Sequence, residues 1–136
     1  MTRILLVDDY FDALEMWAIC LRQCGYEVLT AADGLRAVET AIAERPDLVV
    51  LDLDLPGISG LEVARRLRAF PPTARIPLIA ATGYSHIRQL ESAAQDFAAV
   101  LVKPCEAVTL VREIERALAQ PTAIARPPEE RTTHSG

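Results

Sequence analysis

Short apolar segments alternate with longer amphipathic segments five times along the chain. The apolar segments are residues 3–7, 27–31, 48–52, 76–81 and 99–102. The first and third are almost continuously apolar, as expected of strands buried on both faces of a sheet. The second is more polar and is expected at a sheet edge. The pattern predicts five β-strands.

Apolar residues in the longer segments recur three and four positions apart, which is typical of one face of a helix. The predicted helices cover about 10–24, the segment between Asp33 and Pro46, 59–68, about 85–97 and about 106–120. In the second helix, the predicted apolar face consists of Leu35, Val38, Ala41 and Ile42. Asp33 is the predicted N-cap of that helix, and Ser59 with Glu62 forms a predicted capping box. Alternating strands and helices indicate a parallel α/β sheet with helices on both faces.

The composition of the chain indicates a single cytoplasmic domain that does not bind nucleic acid directly. The chain has 136 residues, 51% of them hydrophobic, which suits one compact domain without disulfides. Its 14 Lys and Arg and 19 Asp and Glu give a net charge of −5, which argues against direct nucleic-acid binding. Three cysteines without metal-ligand spacing and the lack of a membrane-length apolar run indicate a cytoplasmic protein. Residues 1–120 are the predicted domain, and 121–136 a predicted disordered tail.

Polar residues follow four of the five predicted strands. Asp8 and Asp9 follow the first strand, and Asp52 follows the third. Thr82 follows the fourth strand and Lys103 the fifth. Ligands of doubly wound sheets bind beyond the carboxyl ends of the strands, so three repelling carboxylates converge if strands one and three are neighbours. Such oxygen ligands suit Mg²⁺, and the lysine and threonine suit the oxygens of a phosphoryl group held on an aspartate.

These motifs resemble the receiver domain of two-component response regulators. The resemblance covers residues 3–119 and depends on four segments: Val7-Asp8-Asp9, 46–57, Ala81-Thr82-Gly83 and Val102-Lys103-Pro104. It implies a flavodoxin-like, three-layer fold with five parallel strands in the order 2-1-3-4-5. It also implies a single-domain response regulator of a phosphorelay, with a histidine kinase or histidine phosphotransfer protein as donor and a further protein as effector. No direct contact with nucleic acid or membrane is expected.

The resemblance implies roles for the acidic residues. Asp52 is the implied phosphoacceptor, and the only implied reactions are self-phosphorylation and autodephosphorylation at this residue, not turnover of a substrate. Asp9 is the implied direct ligand of Mg²⁺ or Mn²⁺, and Asp8 the ligand acting mostly through water. Asp54 is implied to offer its backbone carbonyl to the metal, although Met or Asn is more usual at its position.

The remaining implied roles concern the phosphoryl group and the display of the phosphorylated state. Thr82 and Lys103 are implied to contact the phosphoryl oxygens, and Pro104 to follow a cis peptide bond. Val100 occupies a position where relatives usually carry an aromatic ring that moves inward. Because its β-branched side chain is stiff, we expect the signal to be carried by the segment Gly83-Tyr84 and the helix after it, with Tyr84 reorienting.

Two other functions stay open from the sequence. Asp52-Leu53-Asp54 also fits the D-x-D motif of haloacid-dehalogenase-like phosphohydrolases, but that motif usually follows the first strand, and the chain has no residues left for a cap. A pseudo-receiver that only binds partners is the other alternative. The complete set of acidic, hydroxyl and lysine positions argues against it, whereas Val100 favours it.

The cysteines and the single tryptophan have simpler interpretations. Cys20 and Cys24 lie four residues apart on one predicted helix, and two ligands do not make a structural zinc site. We therefore expect them to be ordinary thiols beside the core. Trp17 shares its helix face with core residues and is expected to pack there. Cys105 is expected near the candidate site, without an assigned redox role.

Overall fold

The computed structural model describes residues 1–83, 90 and 94–119. Five parallel strands form one sheet in the order β2-β1-β3-β4-β5, which confirms the predicted topology. The strands are β1 (Arg3–Val7), β2 (Glu27–Ala31), β3 (Leu48–Leu51), β4 (Leu78–Gly83) and β5 (Ala99–Lys103). The helices are α1 (Phe11–Gln23), α2 (Gly34–Glu44), α3 (Gly60–Ala69) and α4 (Ala107–Ala119), with 3₁₀ turns at Pro71–Thr73 and Ala94–Asp96.

The sheet is the middle of three layers, because alternate residues of each strand point to opposite faces. On one face, Leu5 and Val7 of β1 pack with α2 and α3. On the other face, Ile4 and Leu6 pack with α1 and α4. Every residue of β3 is buried, as predicted from its continuous apolar sequence. The polar strand β2 lies at the sheet edge, also as predicted.

Two predicted helix caps are confirmed by hydrogen bonds. The Asp33 carboxylate accepts from the backbone N–H of Arg36 at 2.8 Å at the start of α2. Ser59 Oγ accepts from the N–H of Glu62 at 3.2 Å at the start of α3. These bonds satisfy backbone donors that the first turn of a helix leaves unpaired. The Glu62 carboxylate accepts from Arg65 and Arg66, so only the serine half of the predicted capping box is formed.

The buried face of α2 agrees with the predicted one only in part: Ala41 is buried and Val38 packs against the core, but Leu35 and Ile42 are exposed. Leu35 and Ile42 are 51% and 37% exposed, and the buried residues of the helix are Gly34, Ala37 and Ala41. The helix lies so close to its neighbours that a Cβ atom at Gly34 would overlap the backbone of Ile58. Small residues therefore face the core, and the large apolar residues beside them stay at the surface.

Strand β4 begins at Leu78, two residues later than predicted. Pro77 has no N–H to donate to a ladder, and its carbonyl accepts from Val49 at 3.0 Å. Ile76 is nevertheless buried, which explains its apolar signal in the sequence.

Two predictions concern residues that lie mostly outside the described part of the chain. Most of the predicted helix at about 85–97 lies outside the described residues, and within the described part Leu90 and Phe97 are buried in the core. The predicted tail of residues 121–136 also lies outside the described residues. Among the helices that the structure describes, none is both long and apolar enough to cross a bilayer.

Candidate functional site

Three carboxylates converge where β1 and β3 end. Val7 pairs with Leu51 in the sheet, so Asp8 and Asp52 follow on adjacent strands. One carboxylate oxygen from each of Asp8, Asp9 and Asp52 lies within 4.8 Å of the others. Asp8 and Asp52 are 5% and 7% exposed, whereas Asp9 is exposed to solvent. The predicted convergence is therefore present.

Lys103 bridges the two buried carboxylates. Its Nζ donates to Asp8 Oδ2 at 2.5 Å and to Asp52 Oδ2 at 3.1 Å. The remaining oxygens accept from the backbone: Asp8 Oδ1 from the N–H of Tyr10 at 2.9 Å, and Asp52 Oδ1 from the N–H of Asp54 at 3.1 Å. Both carboxylates are thus held in fixed orientations by one backbone and one lysine hydrogen bond each.

The charges of the site do not balance. Burial raises the pKa of Asp52 above its ordinary value, and the N–H of Asp54 and the ammonium of Lys103 offset this rise only in part. Burial also acts to lower the pKa of Lys103, but its hydrogen bonds to Asp8 and Asp52 prevail and raise it. With all groups ionised, three carboxylates face one ammonium, an excess of two negative charges. A divalent cation matches that excess.

Thr82 contributes a buried hydroxyl that has no hydrogen-bond partner among the residues that the structure describes. The residue is fully buried in β4, and among the described residues its Oγ1 meets no hydrogen-bonding group. It pairs in the sheet with Val102, the residue before Lys103. Leaving a buried hydroxyl without a hydrogen-bond partner costs about 1–3 kcal/mol. A ligand that accepts a hydrogen bond from Thr82 Oγ1 would remove this cost.

The other predicted site residues are placed less centrally. Gly83 ends β4 and pairs with Lys103, whereas Tyr84 lies outside the described residues. Val100 is 37% exposed on β5, and Asp54 is exposed with its N–H turned to the phosphoacceptor candidate. The peptide bond between Lys103 and the proline after it is cis, as the resemblance implied.

The thiols have no special environment within the described residues. Cys20 is half-buried and Cys24 exposed, and both are free. Burial raises the pKa of the Cys105 thiol, and Lys103 opposes the rise only weakly, so the thiolate is disfavoured. Trp17 packs against the core cluster beneath α1, as predicted, although it is not fully buried.

An apolar groove beside the site was not predicted. It has a volume of about 560 Å³ and is lined by Tyr10, Asp12, Ala13, Met16, Trp17, Lys103, Pro104 and Cys105. A signal for it exists in the sequence, because Met16, which lines the groove, is apolar yet lies off the predicted buried face of its helix. Met16 is 61% exposed.

The fold is a doubly wound parallel sheet, and its carboxyl ends carry an acidic pocket, a lysine and a hydroxyl that is unpaired among the described residues. This is the edge at which such α/β domains bind ligands. The family model of the response regulator receiver domain matches residues 4–115. The chain belongs to this family, whose members act in two-component systems.

Curated relatives are transcriptional regulators that extend beyond the matched region. The phosphate regulon transcriptional regulatory protein PhoB of Pseudomonas aeruginosa is 38% identical over 117 residues, which are 83% of this chain and 51% of PhoB. The DNA-binding response regulator MtrA of Mycobacterium tuberculosis is 42% identical over 115 residues, 81% of this chain and 49% of MtrA. The chain spans about half the length of these relatives.

Solved structures share the fold and include metal-bound forms. Response regulator protein TrrA of Thermotoga maritima, in complex with Mg²⁺-BeF, has a TM-score of 0.76 and 35% identity, covering 85% of this chain and 98% of TrrA. The receiver domain of a sensor histidine kinase of Pseudomonas aeruginosa has a magnesium ion coordinated in its active site cleft. Its TM-score is 0.80 at 32% identity, covering 88% of this chain and 98% of that domain.

Proposed function

We propose that this receiver domain accepts a phosphoryl group on Asp52 in a Mg²⁺-dependent reaction. The observation that carries the proposal is the convergence of three carboxylates within 4.8 Å of one another around the ammonium of Lys103. The excess negative charge of this arrangement is one that a divalent cation can neutralise, and one of its aspartates is oriented to act as nucleophile.

The donor set fits Mg²⁺, and Mn²⁺ has the same preference for oxygen. Asp9 is exposed and is the proposed direct ligand together with Asp52. Asp8, already hydrogen-bonded to Lys103 and to the N–H of Tyr10, is proposed to act through water. Asp54 is proposed to offer its backbone carbonyl. When bound, the ion supplies positive charge for the oxygens of the incoming phosphoryl group.

The residues of the chain provide the nucleophile and its orientation. A carboxylate oxygen of Asp52 forms a bond to phosphorus while the bond from phosphorus to the donor histidine nitrogen breaks. Lys103 is proposed to pass from the carboxylate to a phosphoryl oxygen, and Thr82 Oγ1 to donate to another. The transfer thus gives the buried hydroxyl of Thr82 the partner that it lacks among the described residues.

A protein phosphodonor is supported by the apolar groove. The groove is lined by Tyr10, Met16, Lys103 and Pro104, and Lys103 donates to Asp52, so a protein that buries these side chains lies beside the proposed phosphoacceptor. We propose a histidine kinase or a histidine phosphotransfer protein as this donor, and a separate protein as the effector. Such a donor places the reaction in the cytoplasm.

The display of the phosphorylated state is proposed to begin at Thr82. A charge-assisted hydrogen bond to a phosphoryl oxygen draws its hydroxyl towards Asp52. Val100 has no ring to reorient, so we propose that the signal passes through Gly83 and Tyr84. Chemical shifts measured with and without a phosphoryl mimic test this. Changes confined to residues 98–112 would contradict it.

The test of the main proposal is incubation with a small acyl-phosphate donor and Mg²⁺, followed by intact mass measurement. We expect the mass of one phosphoryl group to be gained, and chelation of the metal to prevent the gain. Turnover of added phosphate esters would favour a phosphohydrolase instead, and no reaction with any donor would favour a pseudo-receiver. The single-domain type stays a prediction, which the size of the native protein in cell extracts checks.

A further inference from the structure

We propose that Gly60 is a positioning residue for the phosphoacceptor. Its missing side chain lets the first residue of α3 lie directly against the backbone of Asp52 and Leu53 and thereby fixes the loop that orients the Asp52 carboxylate. The inference rests on the proposed function, because it concerns the same metal and phosphoryl site.

The contact at Gly60 involves only backbone atoms. A Cβ atom added there would lie 2.6 Å from the Cα of Leu53 and closer still to the carbonyl oxygen of Asp52. The Gly60 N–H donates to the carbonyl of Leu53 at 3.0 Å. Among the described glycines, positive φ angles occur at Gly25 and Gly57. Gly60 is therefore required by close approach and not by backbone conformation.

The same loop is anchored from below by the core. Leu53 and Leu55 are 2% and 9% exposed and pack in the cluster beneath α3. Asp54 lies between them, and its N–H donates to Asp52 Oδ1 at 3.1 Å. Because the loop is held between the core and Gly60, a shift of α3 moves the N–H that orients the phosphoacceptor. Such a shift also moves the Asp54 carbonyl proposed as a metal ligand.

Gly34 provides a matched comparison, because it packs against the other end of the same loop. A Cβ atom at Gly34, the first residue of α2, would lie 2.5 Å from Ile58 Cγ1 and closer to the Ile58 carbonyl oxygen. The steric overlap with backbone is thus similar, but it falls at the far end of the loop. Gly34→Ala therefore introduces a comparable clash without touching Asp52 or Leu53.

The experiment compares Gly60→Ala with Gly34→Ala in the full chain. Calorimetric titration with Mg²⁺ alone is expected to give a Kd raised roughly tenfold in Gly60→Ala, at the low end of the ten- to hundredfold loss of metal affinity that follows when a ligand loses its supporting contacts. In the metal-free protein, the Asp54 amide is expected to exchange its proton faster. Gly34→Ala should change both quantities much less. Equal changes in both variants would reduce Gly60 to a general structural role and overturn the proposal.

If Gly60→Ala does not fold, a second pair of variants tests the same proposal. Leu53→Val loosens the anchored loop from below, and Leu67→Val shortens an equally buried leucine of the same cluster away from the site. Mg²⁺ affinity should fall only in Leu53→Val, and an equal loss in both would contradict the positioning role. Wild-type protein that takes up no phosphoryl group would refute the proposed function, whereas the Asp54 exchange rate still decides the role of Gly60.

Discussion

A charge cluster lies at each end of the sheet, and the two clusters differ in their surroundings. At the amino end of the strands, the Arg3 side chain contacts Glu27 and Glu44, and the Arg3 backbone N–H donates to the Asp47 carboxylate. At the carboxyl end, Lys103 donates to Asp8 and Asp52, and Asp9 lies beside these two carboxylates. Each of these two clusters consists of three carboxylates and one cationic side chain.

The difference between the ends is access to water. The side chains of Glu27 and Glu44 are 48% and 47% exposed, whereas those of Asp8 and Asp52 are 7% and 9% exposed. Water screens the repulsion among the amino-end carboxylates, so that cluster needs no further cation. Repulsion among the carboxylates at the carboxyl end is screened far less by water. A cation that binds there is therefore attracted more strongly, because it relieves that repulsion. Burial, and not charge count, distinguishes a binding site from a surface network.

The largest effect is expected from replacing Asp52, the proposed nucleophile at the carboxyl end. Asp52→Asn is expected to abolish phosphoryl uptake completely while the fold is retained, because Asn keeps the shape of the side chain without its nucleophilicity. Glu44→Gln at the amino end should leave uptake unchanged. Intact mass after incubation with an acyl-phosphate donor and Mg²⁺ measures both, and undiminished uptake in Asp52→Asn would refute its assignment.

Removing the cation should destabilise only the buried end strongly. Lys103→Met leaves two buried carboxylates without their shared donor, and we expect a loss of about 3 kcal/mol in the free energy of unfolding at neutral pH without metal. Arg3→Met, whose partners are hydrated, should cost clearly less. Denaturant unfolding of the two variants provides the measurement. Equal losses would show that burial does not separate the two ends.

Mg²⁺ should stabilise the protein only through the carboxyl end. At a concentration one hundred times its Kd, the ion should add about 2.7 kcal/mol to the free energy of unfolding. Asp9→Ala should lose this gain more completely than Asp8→Ala, because Asp8 is already held by Lys103. Glu27→Gln should keep it. Melting temperatures with and without Mg²⁺ check the order, and equal losses in both aspartate variants would mean that the direct ligand is misassigned.

The pH dependence of the free energy of unfolding should show the cost of burying the ionised Asp52 carboxylate. Because burial raises the pKa of Asp52 above 3.8, the folded state binds a proton more tightly there than the unfolded state does. Stability from this group is therefore lost as pH rises from the unfolded towards the folded pKa. Asp52→Asn should be more stable than wild type at neutral pH without metal, and the advantage should vanish in acid. A variant less stable at neutral pH would contradict this.

The smallest effect is expected from residues 121–136. We propose that residues 1–120 form the complete receiver domain, so truncation after Gln120 should change the free energy of unfolding by less than about 1 kcal/mol. The truncated protein should still take up a phosphoryl group and should still be stabilised by Mg²⁺. A clear loss of stability would show that the removed segment packs on the domain.

Local pattern was sufficient for most elements of the fold. Continuous apolar runs predicted β1 and β3, and the caps at Asp33 and Ser59 predicted where two helices begin, because these signals depend on residues close in sequence. The predicted buried face of α2 was right at Ala41 and Val38 and wrong at Leu35 and Ile42, which are exposed. This helix approaches the loop before α3 at Gly34, and sequence periodicity does not register how closely two elements pack.

The sequence by itself determined which polar residues follow the strands, and the family resemblance implied what they do. Only the tertiary structure decided that Lys103 bonds Asp8 and Asp52, residues 95 and 51 positions away along the chain. It alone left Thr82 Oγ1 buried without a partner among the described residues and brought Gly60 against the backbone of Asp52 and Leu53. Burial and contact of this kind arise when distant segments exclude water from one another, and no local pattern of residues encodes that exclusion.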